Sequence, residues 1–172
     1  MLYSVAGGNI DRWADPQIKR FAVGMLGMFV VAMVPIHLWR NISFVGYGLT
    51  LILLILVELI GVQGMGAQRW LDLGFMRIQP SELMKIALVL VLAAYYDWLP
   101  LHKTSRPIWV FVPVLLIIVP VFLVLRQPDL GTSILLITGG GAIMFFAGVH
   151  WGYVGTVLAA VAGLVGAVFQ SR

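Results

Sequence analysis

The sequence contains no cysteine and very few charged residues. Of its 172 residues, 11 are basic and 7 are acidic, which is 10% of the chain, against about 25% in ordinary soluble domains. Without cysteine the chain has no disulfide framework, no thiol nucleophile and no thiolate metal site. The histidines His37, His102 and His150 lie too far apart for a metal-binding motif. So few charges cannot cover a soluble particle of this size, and most of the surface must face lipid.

Apolar residues make up 61% of the sequence, which excludes disorder. A hydrocarbon core of about 30 Å needs about 20 mostly apolar residues per helix. Six runs of about this length lie between charges or turn residues, at 21–39, 44–62, 83–98, 108–125, 130–149 and 153–169. The sequence therefore predicts an all-α fold, a polytopic transmembrane helix bundle with about six spans.

The ends of the sequence suggest an incomplete domain. Residues 1–8 are apolar but too short to span a membrane, and no basic segment precedes them as in a secretory signal. The chain ends at residues 170–172, directly after the sixth run. We expect residues 1–172 to form a single integral-membrane domain that is incomplete at both ends.

The basic residues favour one orientation. Six spans place the N-terminal arm, segments 63–82 and 126–129 and the C-terminus on one side, with seven of the eleven basic residues. Only Arg40, Lys103 and Arg106 belong to the other side. The positive-inside rule would put the first side in the cytoplasm. The net charge of +4 fits anionic headgroups or phosphorylated lipid substrates, or a simple membrane-surface bias, rather than nucleic acid.

One long polar segment, residues 63–82, joins the second and third runs. Pro80 suits the first turn of the following helix. Ser81 and Glu82 fall in that turn, where a hydroxyl and an acid suit the exposed amide groups. These features are typical of a well-capped interfacial loop, and we prefer that interpretation for Trp70, Pro80 and Ser81.

Lys85 lies one turn inside the third run, on the same helical face as Glu82 and Ser81. A lysine there must snorkel to the interface, pair with an acid or bind an anion. Arg77 could converge with it on one anion, such as a lipid pyrophosphate, but the spacing alone leaves snorkelling equally open. Glu58, near the end of the second run, could pair with Lys85 or relay protons, and we prefer the pair.

The segment 126–132 joins the fourth and fifth runs on the same side. Asp129 can cap the fifth helix, and capping alone would explain it. As a functional carboxylate it would pair with Lys85 or Arg77, or orient a substrate hydroxyl. Glycines 139–141 indicate close helix packing, because they lie in an apolar span. The sequence has no Walker loop, dinucleotide fingerprint or nucleophile elbow.

Three blocks of this sequence together resemble the signatures of the SEDS family, the shape, elongation, division and sporulation proteins. The blocks are GAQRWLDLG at 66–74, RIQPSELMK at 77–85 and QPDLGTS at 127–133. The first and third are more similar to the rod-shape branch than to the division branch. The resemblance extends along nearly the whole chain.

The resemblance implies a multi-pass protein of about ten transmembrane helices in the bacterial inner (plasma) membrane. It implies a peptidoglycan glycosyltransferase that polymerises lipid II, the undecaprenyl-pyrophosphate-linked precursor, into glycan strands for cell-wall elongation. The implied partners are lipid II, membrane lipids and a class B penicillin-binding protein, with no nucleic acid. No cofactor is implied with certainty, and a divalent cation is compatible with the chemistry.

The family motifs map onto a set of polar residues around the lipid pyrophosphate, with the cations nearest to it. The substrate-binding set implied in this way is Arg77, Lys85, Glu82, Asp129 and Arg69. The acidic residue regarded as catalytic in the family would lie beyond Arg172, so no catalytic residue is assigned, and the chain alone is expected to be inactive. The family also places this side outside the cytoplasm. We follow the family against the charge count, because substrate-binding cations do not report topology.

Other functions remain open from the residues themselves. A polar cavity that admits a lipid-linked headgroup would also suit a flippase that moves the precursor. A purely structural membrane partner of a penicillin-binding protein is a third function, and a division-type member of the family is a variant of the first. Product analysis separates these functions, because only the enzyme yields glycan polymer.

Overall fold

The structure, a computed structural model, describes residues 10–64, 67–72, 77–153, 155, 156, 159, 163 and 166. The chain divides into two compact units, residues 1–39 and 40–172. The elements in chain order are α1 (Ile10–Met33), α2 (Ile36–Ile60), β1 (Val62–Gly64), β2 (Ala67–Asp72), β3 (Arg77–Ile78), α3 (Pro80–Trp98), a short 3₁₀ helix (Leu101–Lys103), α4 (Pro107–Arg126) and α5 (Leu130–Phe146). The described residues from 151 onward are also helical.

The break between the first two helices lies earlier than the sequence predicted. The first helix starts at Ile10 rather than at residue 21, and the chain leaves the helix at Val34 and Pro35. Proline disfavours helical geometry in the residue before it and cannot donate a backbone hydrogen bond. Arg40, expected in the turn, therefore lies inside α2. Ser43 is buried there and donates to the Arg40 carbonyl at 2.8 Å, which satisfies its hydroxyl within the helix.

The helices carry the apolar surface that the sequence predicted. Of the described helices, α2 and α4 are long and apolar enough to cross a membrane by length and composition, while α5 is apolar but shorter. Large apolar side chains cover their outer faces, with Ile108 79% exposed and Phe146 84% exposed. Such a surface is stable in lipid rather than in water. The count of six membrane spans and the residues at which they cross the membrane stay predictions.

The core of the second unit lies where α3, α4 and α5 pack against one another. Its largest fully buried side chains are aliphatic residues and methionines: Leu54, Met84, Leu88, Leu92, Ile117, Leu136 and Met144. Lipid tails are as apolar as these side chains, so burial alone does not hold the helices together in a membrane. Close packing and interhelical hydrogen bonds must do so.

A glycine permits the close approach of α4 and α5. A Cβ atom added at Gly140 would lie 2.7 Å from two side-chain carbons of Ile117, and Ile117 is fully buried. A Cβ at Gly139 or Gly141 would meet no heavy atom within 4 Å. The predicted packing surface of glycines 139–141 is therefore confirmed at its middle residue only.

Two prolines inside α4 each leave one helical carbonyl without its usual donor. Pro113 has no N–H, so the carbonyl of Trp109, four residues earlier, loses its helical hydrogen bond. The hydroxyl of Tyr95 in α3 donates to that carbonyl at 2.8 Å. The carbonyl that lacks a donor within α4 thus accepts a hydrogen bond from α3.

The second proline is compensated in the same way from another helix. Pro120 leaves the carbonyl of Leu116 without its helical donor. The hydroxyl of Tyr47 in α2 donates to it at 2.9 Å. Because water is absent from the hydrocarbon region, an unsatisfied carbonyl there costs several kcal/mol. The two tyrosines therefore join α2 and α3 to the proline-containing helix α4.

The long polar segment between α2 and α3 forms a small antiparallel sheet of three strands in the order β1-β2-β3. Its second ladder pairs Leu71 with Ile78 and Asp72 with Arg77. Leu71 is buried while its neighbour Trp70 is partly exposed, as the alternation of a strand requires. The sequence predicted a loop here, because strands of two to six residues give little alternation to detect.

Replacing Tyr95 by Phe should lower the free energy of unfolding by about 1–3 kcal/mol, because the half-buried Trp109 carbonyl is left without a donor. In a Pro113→Ala background, the restored N–H can satisfy that carbonyl, and the loss should fall close to zero. A double-mutant cycle measured by denaturation in mixed micelles checks both values.

Tyr96→Phe is the matched control for this cycle. The Tyr96 hydroxyl is buried and has no hydrogen-bond partner among the described residues, so its removal should not destabilise the protein. Equal losses for Tyr95→Phe with and without Pro113 would contradict the compensation.

Gly140→Ala should destabilise the protein by about 1–3 kcal/mol, because the new methyl group overlaps with Ile117. Gly139→Ala is the control and should be neutral or stabilising, since alanine is the better helix former. Unfolding midpoints of both variants provide the measurement. If Gly140→Ala destabilises the protein equally in an Ile117→Ala background, overlap with the Ile117 side chain is not the cause of the destabilisation.

Candidate functional site

The starts of α3 and α5 meet at one end of the second unit. The side-chain amide of Gln79 donates to Ser81 Oγ at 3.0 Å and to Asp129 Oδ2 at 3.4 Å. Gln79 belongs to the sequence block 77–85 and Asp129 to the block 127–133. Two blocks that are separate in the sequence therefore share one polar cluster.

Asp129 caps α5. Its Oδ1 accepts from the backbone N–H of Thr132 at 3.2 Å, and its Oδ2 accepts from the Thr132 hydroxyl at 2.9 Å. The hydroxyl of Ser133 donates to the Asp129 carbonyl at 2.8 Å, and both hydroxyl residues are buried. A carboxylate at this position satisfies free amide groups and interacts favourably with the helix dipole. The capping interpretation of Asp129 is confirmed.

The start of α3 also agrees with the sequence. Gln79 is extended, Pro80 occupies the first helical position and Glu82 lies in the first turn. Ser81 is 1% exposed, and its hydroxyl oxygen accepts a hydrogen bond from the side-chain amide of Gln79. The first helical position has no intrahelical partner for its N–H, so Pro80, which lacks an N–H, starts the helix without the loss of a hydrogen bond.

Lys85 and Glu82 form an ion pair along α3. The Nζ to Oε1 distance is 2.8 Å, and the side chains are 29% and 56% exposed. An exposed pair of this kind contributes little stability. An ammonium group has three donors, so Lys85 keeps the capacity to bind an anion. The suggested pairing of Lys85 with Asp129 is wrong, because Lys85 pairs within its own helix.

Glu58 pairs with a different cation from the one expected. Its Oε1 lies 3.0 Å from Arg126 Nε, because the end of α2 lies beside the end of α4. The expected pairing of Glu58 with Lys85 is therefore wrong. Next to Arg126, Gln127 is buried and its amide donates to the Leu54 carbonyl at 3.1 Å. These contacts support a structural role for Glu58 rather than a proton relay.

Two residues of the expected substrate-binding set are described only in their backbone. Arg69 lies in β2 and Arg77 in β3, and their side chains lie outside the described part of the structure. The strand β3 ends one residue before Gln79, so the backbone of Arg77 is placed at the same end of the unit as Lys85.

The sequence did not assign roles to several polar residues, buried or half-buried, that hold this end together. They are Gln79, Gln127, Thr132 and Ser133. The signal that could have identified them is their position beside a helix start or end, where amide and carbonyl groups need partners. Their amides and hydroxyls fix the helix ends, and among the described side chains Lys85 is a cation that can meet a ligand.

The chemistry available at this end is the binding of an anion. Lys85 provides a partly exposed cation, and the start of α3 adds the positive end of one helix dipole, whereas the start of α5 is already occupied by the Asp129 carboxylate. The carboxylates of Glu82 and Asp129 are already engaged. Within the described ranges, no group of three His, Asp or Glu side chains could hold a metal ion.

Comparison with a family model gives a match along almost the entire chain. The model FTSW_RODA_SPOVE, described as "Cell cycle protein", matches residues 6–171. The chain is 36% identical over 167 residues to "Peptidoglycan glycosyltransferase MrdB" of Escherichia coli (strain K12), covering 96% of this chain and 44% of that protein. It is 32% identical over 152 residues to "Probable peptidoglycan glycosyltransferase FtsW" of Escherichia coli O6:H1, covering 86% of this chain and 37% of that protein. The chain thus spans less than half the length of these relatives.

Solved structures show the same helical arrangement. The crystal structure of the rod shape determining protein RodA of Thermus thermophilus matches with a TM-score of 0.71 at 32% identity, over 83% of this chain and 47% of that one. A second match is a chain from a structure of a peptidoglycan synthase complex, described as "Structural coordination of polymerization and crosslinking by a peptidoglycan synthase complex". The TM-score is 0.75 at 32% identity, over 90% of this chain and 46% of that one. The predicted fold class, a helical membrane bundle, is confirmed, with the small sheet as an addition.

Asp129→Ala should lower the free energy of unfolding by about 1–2 kcal/mol, because the Thr132 amide and hydroxyl lose their acceptor. Asp129→Asn keeps an acceptor oxygen and should cost clearly less. Thermal unfolding in detergent measures both. Asp97→Ala removes an exposed carboxylate at the other end and should change little. An equal loss for Asp129→Ala and Asp129→Asn would show that charge, rather than capping, matters at this position.

Proposed function

Because this chain belongs to the FTSW_RODA_SPOVE family of cell cycle proteins, we propose that it is part of a peptidoglycan glycosyltransferase that polymerises lipid II into glycan strands. The curated relatives named as such enzymes are about twice as long as the part matched here, so the activity is proposed for the whole protein. The higher identity to MrdB than to FtsW favours the rod-shape role over the division role.

The observation that carries this proposal is the convergence of the two motif blocks beside a cation. The Gln79 to Asp129 hydrogen bond joins the starts of α3 and α5, and Lys85 lies one turn further along α3. Its ammonium group is held by Glu82 at 2.8 Å yet is only partly buried. An anionic lipid headgroup could reach it without unfolding either helix.

Glycosyl transfer from a lipid pyrophosphate has two chemical requirements. A base must activate the acceptor hydroxyl, and positive charge must stabilise the departing pyrophosphate. We propose that this chain provides the second of these. Lys85 and Arg77 would bind the pyrophosphate, Glu82 would orient Lys85 before binding, and Arg69 would shape the loop. No residue of this chain is proposed as the catalytic base.

Asp129 has a positioning role in this scheme. It caps α5 and accepts from Gln79, so it fixes the distance between the starts of α5 and α3. A substrate held by Lys85 would then lie beside the start of α3, where the helix dipole stabilises a negative charge. We propose that Asp129 lines the polar cavity and does not contact the reacting atoms.

The partners and location follow from the same proposal. Membrane residence agrees with the apolar helices, and the proposed location is the bacterial inner membrane, with a multi-pass topology and this end outside the cytoplasm. Lipid II is the proposed substrate. A class B penicillin-binding protein is the proposed partner, which the similarity to a chain from a peptidoglycan synthase complex supports.

Lys85→Ala should reduce lipid II polymerisation by about tenfold or more, because one charge that stabilises the leaving pyrophosphate is lost. Lys85→Arg should retain part of the activity, since the charge remains. The assay uses this sequence supplied with the remaining length of its curated relatives, at matched protein levels, and measures glycan chains from labelled lipid II. Lys103→Ala, at the opposite end of the unit, is the control and should leave the activity unchanged.

Unchanged polymerisation by Lys85→Ala would overturn the assignment of Lys85. Transfer of intact lipid II across vesicles, without polymer, would identify a flippase instead. Assembly with a penicillin-binding protein, with neither polymer nor transfer, would identify a structural partner.

A further inference from the structure

A cleft of about 370 Å³ lies at the end of the second unit opposite to Lys85, between α2 and α3. Three residues of each helix form its walls: Arg40, Asn41 and Phe44 from α2, and Ala94, Tyr95 and Trp98 from α3. This cleft shares no residue with the site proposed for lipid II. An inference about it therefore does not depend on the proposed function.

The cleft is polar at its mouth and apolar one turn deeper. The helix α2 runs away from this end, so Phe44 lies about one turn below Arg40. The helix α3 runs towards this end, so Ala94 lies about one turn below Trp98, which is 62% exposed. A polar layer above an apolar layer is the arrangement of groups in a phospholipid at the membrane interface.

The mouth of the cleft carries the positive charge of Arg40, and the negative charge of Asp97, its ion-pair partner, lies beside the lining residues. Arg40 Nη1 lies 2.8 Å from Asp97 Oδ2, and both side chains are more than half exposed. A guanidinium group has five N–H donors and matches the geometry of a phosphate. The contact with Asp97 engages one end of that group and leaves further donors for a ligand. The carboxylate would repel a purely anionic headgroup and attract an ammonium group.

The walls of the cleft are held by contacts with α4. The Tyr95 hydroxyl donates to the Trp109 carbonyl, so Tyr95 fixes the α3 side of the wall. The Trp98 and Trp109 rings lie 5.9 Å apart, and the Lys103 ammonium lies 5.4 Å from the Trp109 ring. Tryptophan and lysine in this arrangement are typical of the headgroup layer of a membrane.

We propose that this cleft binds phosphatidylethanolamine, a lipid with one phosphate and one ammonium group. The phosphate accepts hydrogen bonds from Arg40 and Asn41, and the ammonium group lies against Asp97. The first carbons of an acyl chain contact Phe44 and Ala94. The headgroup and the Arg40–Asp97 pair are both zwitterionic, so each charge of the lipid meets its opposite.

Competition binding of phosphatidylethanolamine and phosphatidylglycerol tests the proposal. Native mass spectrometry of the purified chain in detergent measures the affinity for each dioleoyl lipid. The chain should prefer phosphatidylethanolamine, and Arg40→Gln should weaken its binding about fivefold or more, because a charge-assisted hydrogen bond is lost. Asp97→Asn should lower the affinity for phosphatidylethanolamine and raise that for phosphatidylglycerol.

Arg106→Gln is the matched control, because Arg106 is an exposed cation on the same side of the membrane but does not line the cleft. It should leave both affinities unchanged, and thermal unfolding shows whether each variant is folded. Arg40→Lys keeps the charge but loses the guanidinium geometry, and its affinity should be intermediate.

Tighter binding of phosphatidylglycerol by the unaltered chain would overturn the assignment of the headgroup. Equal binding of phosphatidylethanolamine by the Arg40→Gln and Arg40→Lys variants and the unaltered chain would overturn the site itself. An equal loss of binding in Arg106→Gln would also overturn it, because the effect would then reflect the surface charge alone.

Discussion

The fold of this protein depends on satisfying backbone polar groups where no water is available. The helix α4 breaks its own hydrogen-bond ladder at Pro113 and Pro120, and in hydrocarbon each exposed carbonyl would cost several kcal/mol. Tyr95 and Tyr47 supply the missing donors from α3 and α2. Hydrophobic burial cannot choose between helix partners in lipid, so these two directional bonds favour α3 and α2 as neighbours of α4, whereas α5 approaches α4 by close packing at Gly140.

The two ends of the second unit use their polar residues differently. At the end with Lys85, amides and hydroxyls of residues such as Gln79 and Gln127 are consumed in joining helix ends. At the other end, Arg40 and Asp97 are exposed and pair with each other between α2 and α3. The first end is joined by hydrogen bonds around its helix starts and keeps Lys85 partly exposed, whereas the second carries an exposed ion pair beside a cleft. One bundle can therefore present two chemically distinct surfaces to the two leaflets.

Much of the helical fold could be predicted from the sequence, because long apolar runs predict helices and Pro80 marks the start of α3 through local geometry alone. Asp129 was predicted as a cap for the same reason, since a cap concerns only the next three residues. The partners of Glu58 and Lys85 could not be predicted, because they depend on which helix ends lie side by side. The sheet in the long segment was missed since its strands are too short for a periodic pattern. The match of Tyr95 to Pro113 needs the relative rotation of two helices, which no single stretch of sequence contains.

The hydrogen bond between Tyr47 and Leu116 joins residues 69 positions apart, and this spacing has a consequence for biosynthesis. A ribosome adds about 5–20 residues per second, so several seconds pass between the synthesis of the donor and that of its acceptor. During that interval α2 is present in the membrane with a hydroxyl group that has no native acceptor. The hydrogen bond between α2 and α4 therefore cannot form until Leu116 has been made, whereas the contact of α2 with α3 through Arg40 and Asp97 can form earlier.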